Sequence, residues 1–146
     1  MSVSQQTAAK YGFIVMVEEG ALFGTLSGMT KEILHEFSAE HPMKQLRGLR
    51  LVVDTAAARL AWPNVSGLIP AGFEFLMEAV CQSGMLDPTL RDKVLCRALV
   101  SCAGDSGFNE AIDLSSKFLA DVEFVQEKRL VRKFFAEAMA GKSGDP

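Results

Sequence analysis

The stretch from Asp87 to Gly104 constrains the fold of this chain more than any other. It reads D-P-T-L-R-D-K-V-L-C-R-A-L-V-S-C-A-G. Asp87 is a good helix N-cap, Pro88 suits the first helical position, and Gly104 suits the left-handed turn just past a helix end. Between them, Leu90, Val94, Leu95, Ala98, Leu99, Val100 and Cys102 cover most of a helical cylinder. A helix apolar on most sides belongs in the middle of a fold, with other elements packed round it. The spacing therefore predicts a central buried helix over 88–103.

The segments around it mostly read as helices. From Met43 to about Ala61, the residues Met43, Leu46, Leu49, Val53, Ala56, Ala57 and Leu60 recur at helical period, with Lys44, Arg47, Arg50, Asp54 and Arg59 largely elsewhere. Before it, Ser27 or Thr30 is placed to cap a helix carrying Ile33, Leu34 and Phe37, which ends ahead of Pro42. After the Pro- and Gly-punctuated loop 62–67, Pro70 is expected to open a helix that runs to near Gly84, with Phe73, Leu76, Met77 and Val80 inward. A short link from Ser83 to Asp87 makes this helix and the central one antiparallel neighbours. Beyond Gly104, with Asp105 or Ser106 as cap, one apolar face holds Phe108, Ala111, Ile112, Phe118 and Leu119. A second holds Phe124, Val131, Phe134, Phe135 and Ala138. The two sets do not share one stripe, so a break is expected between about Asp121 and Val125.

Residues 11–28 are ambiguous. Phe13 to Val17 and Ala21 to Leu26, split by Glu18-Glu19-Gly20, are rich enough in β-branched residues for a β-hairpin. The run lacks clean alternation and a strong two-residue turn signal. The alternative is helix, with Gly20, Gly24 and Gly28 four apart on one stripe where a neighbouring helix approaches closely. The helical surroundings favour that alternative. The expectation is therefore an all-α fold, a single-domain bundle of about six helices over residues 1–146, with frayed ends at about 1–9 and 141–146.

The chain's 146 residues suffice to bury about 68–70% of the unfolded surface. A net charge of −3 and a pI near 5.4 argue against general nucleic-acid binding, which usually goes with a basic domain, though not against a local basic patch. The apolar run at 12–17 is too short to span a membrane and lacks a cleavage pattern. Cys81, Cys96 and Cys102 are an odd, sparse set, read as reduced thiols in a cytoplasmic protein.

No motif for chemistry stands out. The two histidines, His35 and His41, are far in sequence from every cysteine, so a catalytic Cys–His pair is not favoured. No zinc-ligand spacing occurs, and globin-type haem ligation is excluded because the second half of the chain has no histidine. The Gly141-Lys142-Ser143 triplet lacks the earlier glycine of a phosphate-binding loop, since position 136 is Ala. No cofactor is expected. Ten Phe against one Trp and one Tyr favour dry contact surfaces over ligand pockets, and Phe75, Phe124 and Phe135 exceed what a small bundle needs to bury. Lys128, Arg129, Arg132 and Lys133 form a basic strip that an acidic partner would relieve. These features predict a cytoplasmic, helical protein–protein interaction module, with Lys128, Arg129, Arg132, Lys133, Phe124 and Phe135 as partner-binding residues. The alternatives are a self-associating homodimer using the glycine stripe or the Phe face, and an enzyme whose site is assembled by the fold.

Overall fold

The computed structural model describes residues 9–38, 46–60, 65–82 and 84–122, and it overturns the all-α expectation. A five-stranded sheet, ordered β3-β2-β1-β4-β5, lies at its centre. Strands β1 (Lys10–Val17), β2 (Gly20–Ser27) and β3 (Thr30–Ser38) form an antiparallel meander with two-residue links. Helix α1 (Leu46–Arg59) leads to β4 (Gly67–Gly72), which runs parallel to β1 and pairs Tyr11 with Gly67 and Met16 with Gly72. Helix α2 (Glu74–Gln82), the short α3 (Pro88–Arg91) and β5 (Ala98–Leu99), parallel to β4, follow. Residues 104–122 form a last helix, α4.

The segment 11–28 is thus a hairpin, and its poor alternation has a physical cause. Every β1 residue after Lys10 is buried, because both faces of the strand are covered. A strand buried on both sides reads as a continuous apolar run and not as an alternating one. On one face Ile14, Met16, Ala21 and Phe23 join a core with Leu49, Val52, Val53, Ala56 and Leu60 of α1, and Leu76, Met77 and Val80 of α2. On the other face Phe13 meets Phe108 of α4 at 5.3 Å between ring centroids. Residues 30–38, expected to be helical, form the edge strand, with charged Lys31, Glu32 and Glu36 that guard an open edge against further pairing.

The central helix expected over 88–103 is not there. Asp87 does cap a helix, accepting a bond from the Thr89 backbone N–H at 2.9 Å with Pro88 at the first position, but α3 lasts one turn. Backbone pairing with β4 then takes over: the Leu68 N–H donates to the Lys93 carbonyl and the Leu95 N–H to the Leu68 carbonyl, both at 2.9 Å. Further on, Ala98 and Val100 are buried while Leu99 is 60% exposed, a strand period and not a helical one.

Pro70, expected to open a helix, lies inside β4, opposite Ile14. Its missing N–H is tolerable there. Leu68 and Gly72 bond towards the β5 side of β4, and in a strand Pro70 between them faces the same way. Residues 95–97, which would meet it, have no strand assignment. The helix expected at 43–61 is present as α1, and the one expected near 70–84 starts later, at Glu74. The break expected between Asp121 and Val125, and the apolar face from Phe124 to Ala138, lie outside the described residues or at their border. The chain divides into two compact units, residues 1–115, which contain the sheet, and 116–146.

Gly24 marks the tightest approach of sheet and helix. A Cβ there would come within 2.5 Å of the Phe108 ring and 2.8 Å of the Glu32 carbonyl oxygen. Gly24→Ala is therefore expected to destabilise by about 1–3 kcal/mol, the usual cost of overpacking. Gly28, at φ +60 in the β2–β3 turn with open space around it, should accept Asn at a cost below about 1 kcal/mol. Urea denaturation of both variants checks the pair; equal midpoints would contradict the packing account.

Candidate functional site

The glycines of the supposed helical stripe serve three separate purposes. Gly20 opens β2 at φ +156 against the Phe37 carbonyl, Gly24 lies under Phe108, and Gly28 makes the turn. They share no helix face. The basic strip Lys128, Arg129, Arg132 and Lys133, and Phe124 and Phe135, lie outside the described residues. Phe75 is 45% exposed beside Phe73, ring centroids 6.0 Å apart.

The fold brings together groups that the sequence keeps far apart. Lys31 of β3 donates to Asp105 at 2.5 Å and to Asn109 at 2.7 Å, and its ammonium lies 5.4 Å from the centre of the Phe108 ring. This ties the edge strand to the first turn of α4, where the acid also faces the positive end of the helix dipole. The ion pair is partly exposed, so it contributes at most about 1 kcal/mol. Its value is in placement.

Among the described residues, two clefts line the sheet domain. The smaller, about 70 Å³, lies where the β1–β2 turn, the end of β3 and Ala103–Gly104 meet, with Glu19 and Glu36 at its wall. The larger, about 280 Å³, opens at the C-terminal end of α1 and is lined by Lys10, Thr25, Leu34, Ala58 and Arg59. Its position follows from strand alternation. Gly12 faces Leu60 and Val65 on the α1 side, so Lys10, two residues earlier, faces that side too. Thr25, paired with Gly12 across the ladder, presents a side chain only 4% exposed on the same face. Lys10 and Arg59 were not singled out as site residues from sequence, because nothing local links positions 49 residues apart.

The thiols offer little chemistry. Burial pushes Cys81 above the usual thiol range, against a smaller opposing pull from Arg97, and burial likewise raises Cys96. A raised pKa leaves less thiolate and a poorer nucleophile. His35 stands among aromatic rings, 6.3 Å from Phe23 and 6.2 Å from Phe37. Among the described residues no three His, Cys, Asp or Glu side chains converge on a metal position. No described helix is long and apolar enough to cross a membrane.

A mixed sheet with helices packed on both faces and a clamped edge strand defines an α/β domain. The family model described as eRF1 domain 2 matches residues 10–121, and the chain belongs to that family. It is 44% identical to the eukaryotic peptide chain release factor subunit 1-1 of Brassica oleracea var. botrytis, over 88% of this chain and 35% of the relative. In fold it is similar to an archaeal translation termination factor, aRF1, with a TM-score of 0.66 at 20% identity, over 92% of this chain and 42% of that one. A ribosome-bound archaeal Pelota, seen with ABCE1, matches with a TM-score of 0.59 at 17% identity, over 88% and 39%. The chain therefore spans about a third of the length of the release factor it matches. The expected all-helical adaptor, and the helical glycine-stripe dimer offered beside it, are corrected by this membership and by the sheet.

The alignment also shows a difference in length. It runs over 151 positions, yet 88% of a 146-residue chain supplies fewer than 130 of them. The relative thus carries some twenty residues, in one place or several, that this chain lacks.

Alkylation tests the thiol environments. Iodoacetamide should modify exposed Cys102 first and buried Cys81 last in the folded chain, as read by mass spectrometry of timed samples. Labelling of Cys81 ahead of Cys102 would show that the α2 face opens.

Proposed function

We propose that this chain is the ribosome-docking domain of a cytoplasmic factor of the translation termination or ribosome-rescue class. The observation that carries the reading is the family match over residues 10–121, supported by a sheet and flanking helices like those of aRF1 and Pelota. The domain's part is docking rather than release of the nascent peptide. Within the aligned region the chain has some twenty residues fewer than a factor named for peptide release, and this difference in length supports the reading. A protein partner belongs to the same reading, as the Pelota structure includes ABCE1. For that partner, the strip Lys128, Arg129, Arg132 and Lys133, with Phe124 and Phe135, is the proposed contact, on the strength of its charge and aromatic content.

Co-sedimentation of the intact chain with ribosomes of its source organism tests the docking role. Binding at low salt that weakens as salt rises is expected, because ribosome surfaces are dominated by RNA phosphates. In parallel, this chain is exchanged for the aligned region of the Brassica release factor subunit. The hybrid is expected to bind ribosomes while releasing peptide at least about tenfold more slowly, a loss of about 1.4 kcal/mol in transition-state stabilisation. No sedimentation with ribosomes at low salt would refute docking, and release at the parent's rate would refute the division of labour.

A further inference from the structure

We propose that the outer face of α2 receives an arginine-rich segment of a ribosomal protein. The inference rests on the ribosomal reading above and adds the chemistry of one contact to it. α2 reads E-F-L-M-E-A-V-C-Q, with two acids and no cation. Leu76, Met77, Val80 and Cys81 turn into the core, whereas Glu74, Phe75 and Glu78 are exposed. Helical spacing makes Glu78 a neighbour of both Glu74 and Phe75, one turn before it. The outer face thus presents an aromatic ring beside two carboxylates.

The ring is steadied from the core side. Phe75 is 45% exposed, and its centroid lies 6.0 Å from that of Phe73, which packs against the core. Glu74 has a local reason for its place, since an acid in the first turn meets the positive end of the helix dipole. Glu78 has none. A like charge four residues after Glu74 is mildly unfavourable, and α2 carries no cation to offset it. Among the described residues, Arg47 and Arg50 of α1 and Arg97 next to β5 form no ion pair with either acid. Arg97 acts on α2 at Cys81, which is buried.

Charge decides what can cover this face. Two carboxylates repel phosphates, so the RNA of a ribosome is a poor occupant. Proteins that bind RNA are themselves basic, and their arginines match what α2 offers. A guanidinium donates paired N–H bonds to a carboxylate and stacks on an aromatic face. Lysine brings a compact point charge without the planar fork. The face therefore favours arginine within a basic segment, and it favours protein over nucleic acid.

The test titrates the intact chain into a fluorescein-labelled oligoarginine peptide of about six residues, and into the oligolysine peptide of equal length, with fluorescence anisotropy as the readout. The arginine peptide is expected to bind about two- to fivefold more tightly, the worth of an exposed cation–π contact. Glu74→Gln with Glu78→Gln should weaken its binding at least about threefold, as the loss of two exposed ion pairs does. Phe75→Leu, which keeps an apolar side chain, should lose the preference for arginine over lysine. Glu18→Gln with Glu32→Gln removes as much charge from exposed positions on the sheet and should leave affinity unchanged. Far-UV circular dichroism and thermal melting confirm that each variant folds.

No binding by the wild-type chain, equal binding of the two peptides, undiminished affinity in the α2 double variant, or an equal loss in the sheet variant would each overturn the assignment. Co-sedimentation with ribosomes is the second arm, and there the sign of the change decides. If α2 holds a basic protein segment, the α2 double variant sediments less than wild type. If α2 lies against RNA, removing two repelling carboxylates makes it sediment more, and the assignment falls. The two readings fail separately. If wild-type chain sediments with ribosomes and the α2 double variant does so equally, the α2 assignment falls and docking stands. If arginine binding depends on Glu74, Phe75 and Glu78 but no sedimentation with ribosomes occurs, docking falls and the arginine-binding face stands.

Discussion

Burial of β1 on both faces is the constraint on which the rest of the structure depends. A strand whose side chains all need cover must have a layer on each side. α1 and α2 supply one layer, through Ile14, Met16 and the leucines and valines of the helices, and Phe108 of α4 supplies contact on the other through Phe13. The same requirement explains the mixed sheet. β2 returns antiparallel through a two-residue link, which is cheap in chain length. β4 runs parallel and needs a crossover, which α1 provides while also delivering Leu49, Val52, Ala56 and Leu60 to the core. The position of the larger cleft follows, since the end of that crossover helix forms part of its lining with Lys10 and Thr25.

What was legible in the sequence divides along physical lines. α1 could be read because one face is wet and one is dry, which leaves the helical period visible in Leu49, Val53, Ala56 and Leu60. β1 and β2 could not, because covering both faces removes the alternation that identifies a strand. The error at 88–103 is of another kind. The cap at Asp87 was read correctly, yet a local start signal does not fix where a helix ends. Leu68 offers its N–H and carbonyl to Lys93 and Leu95, and this long-range pairing overrides the helical continuation. Ala98, Leu99 and Val100 alternate buried, exposed and buried in the structure, but all three are apolar, so no strand period is visible in the sequence there. Residues 11–28 read as helix only beside a helical 88–103, so where that segment pairs with β4 instead, the expectation of an all-α fold fails with it.

The site was less legible than the fold, for a simpler reason. Lys31 meets Asp105 across 74 positions, and Lys10 and Arg59 line one cleft only because the start of β1 and the end of α1 are brought together by the fold. No spacing rule in a sequence encodes such pairs. The net charge of −3 is an average over the whole chain. Averages hide polarity, however: α1 carries Arg47, Arg50 and Arg59 against one Asp54, whereas residues 104–115 carry Asp105, Glu110 and Asp113 and no cation.

The missing residues sharpen this view of the domain. Each of the five strands is paired, and β1 keeps its full ladder to β2 and six partners on β4. A segment removed from a paired strand in the middle of such a sheet would break its register and expose its face. A connection or a helix end can be shortened with little loss, since closing a loop costs only about 0.6 kcal/mol more for each doubling of its length. The some twenty residues that the Brassica release factor carries beyond this chain therefore belong to connections or helix ends rather than to the sheet. Connections are also where binding and catalytic groups concentrate on a rigid scaffold. The chain thus keeps the sheet scaffold of its family while differing in length from the Brassica release factor in the connections or helix ends, where insertions and deletions disturb a fold least.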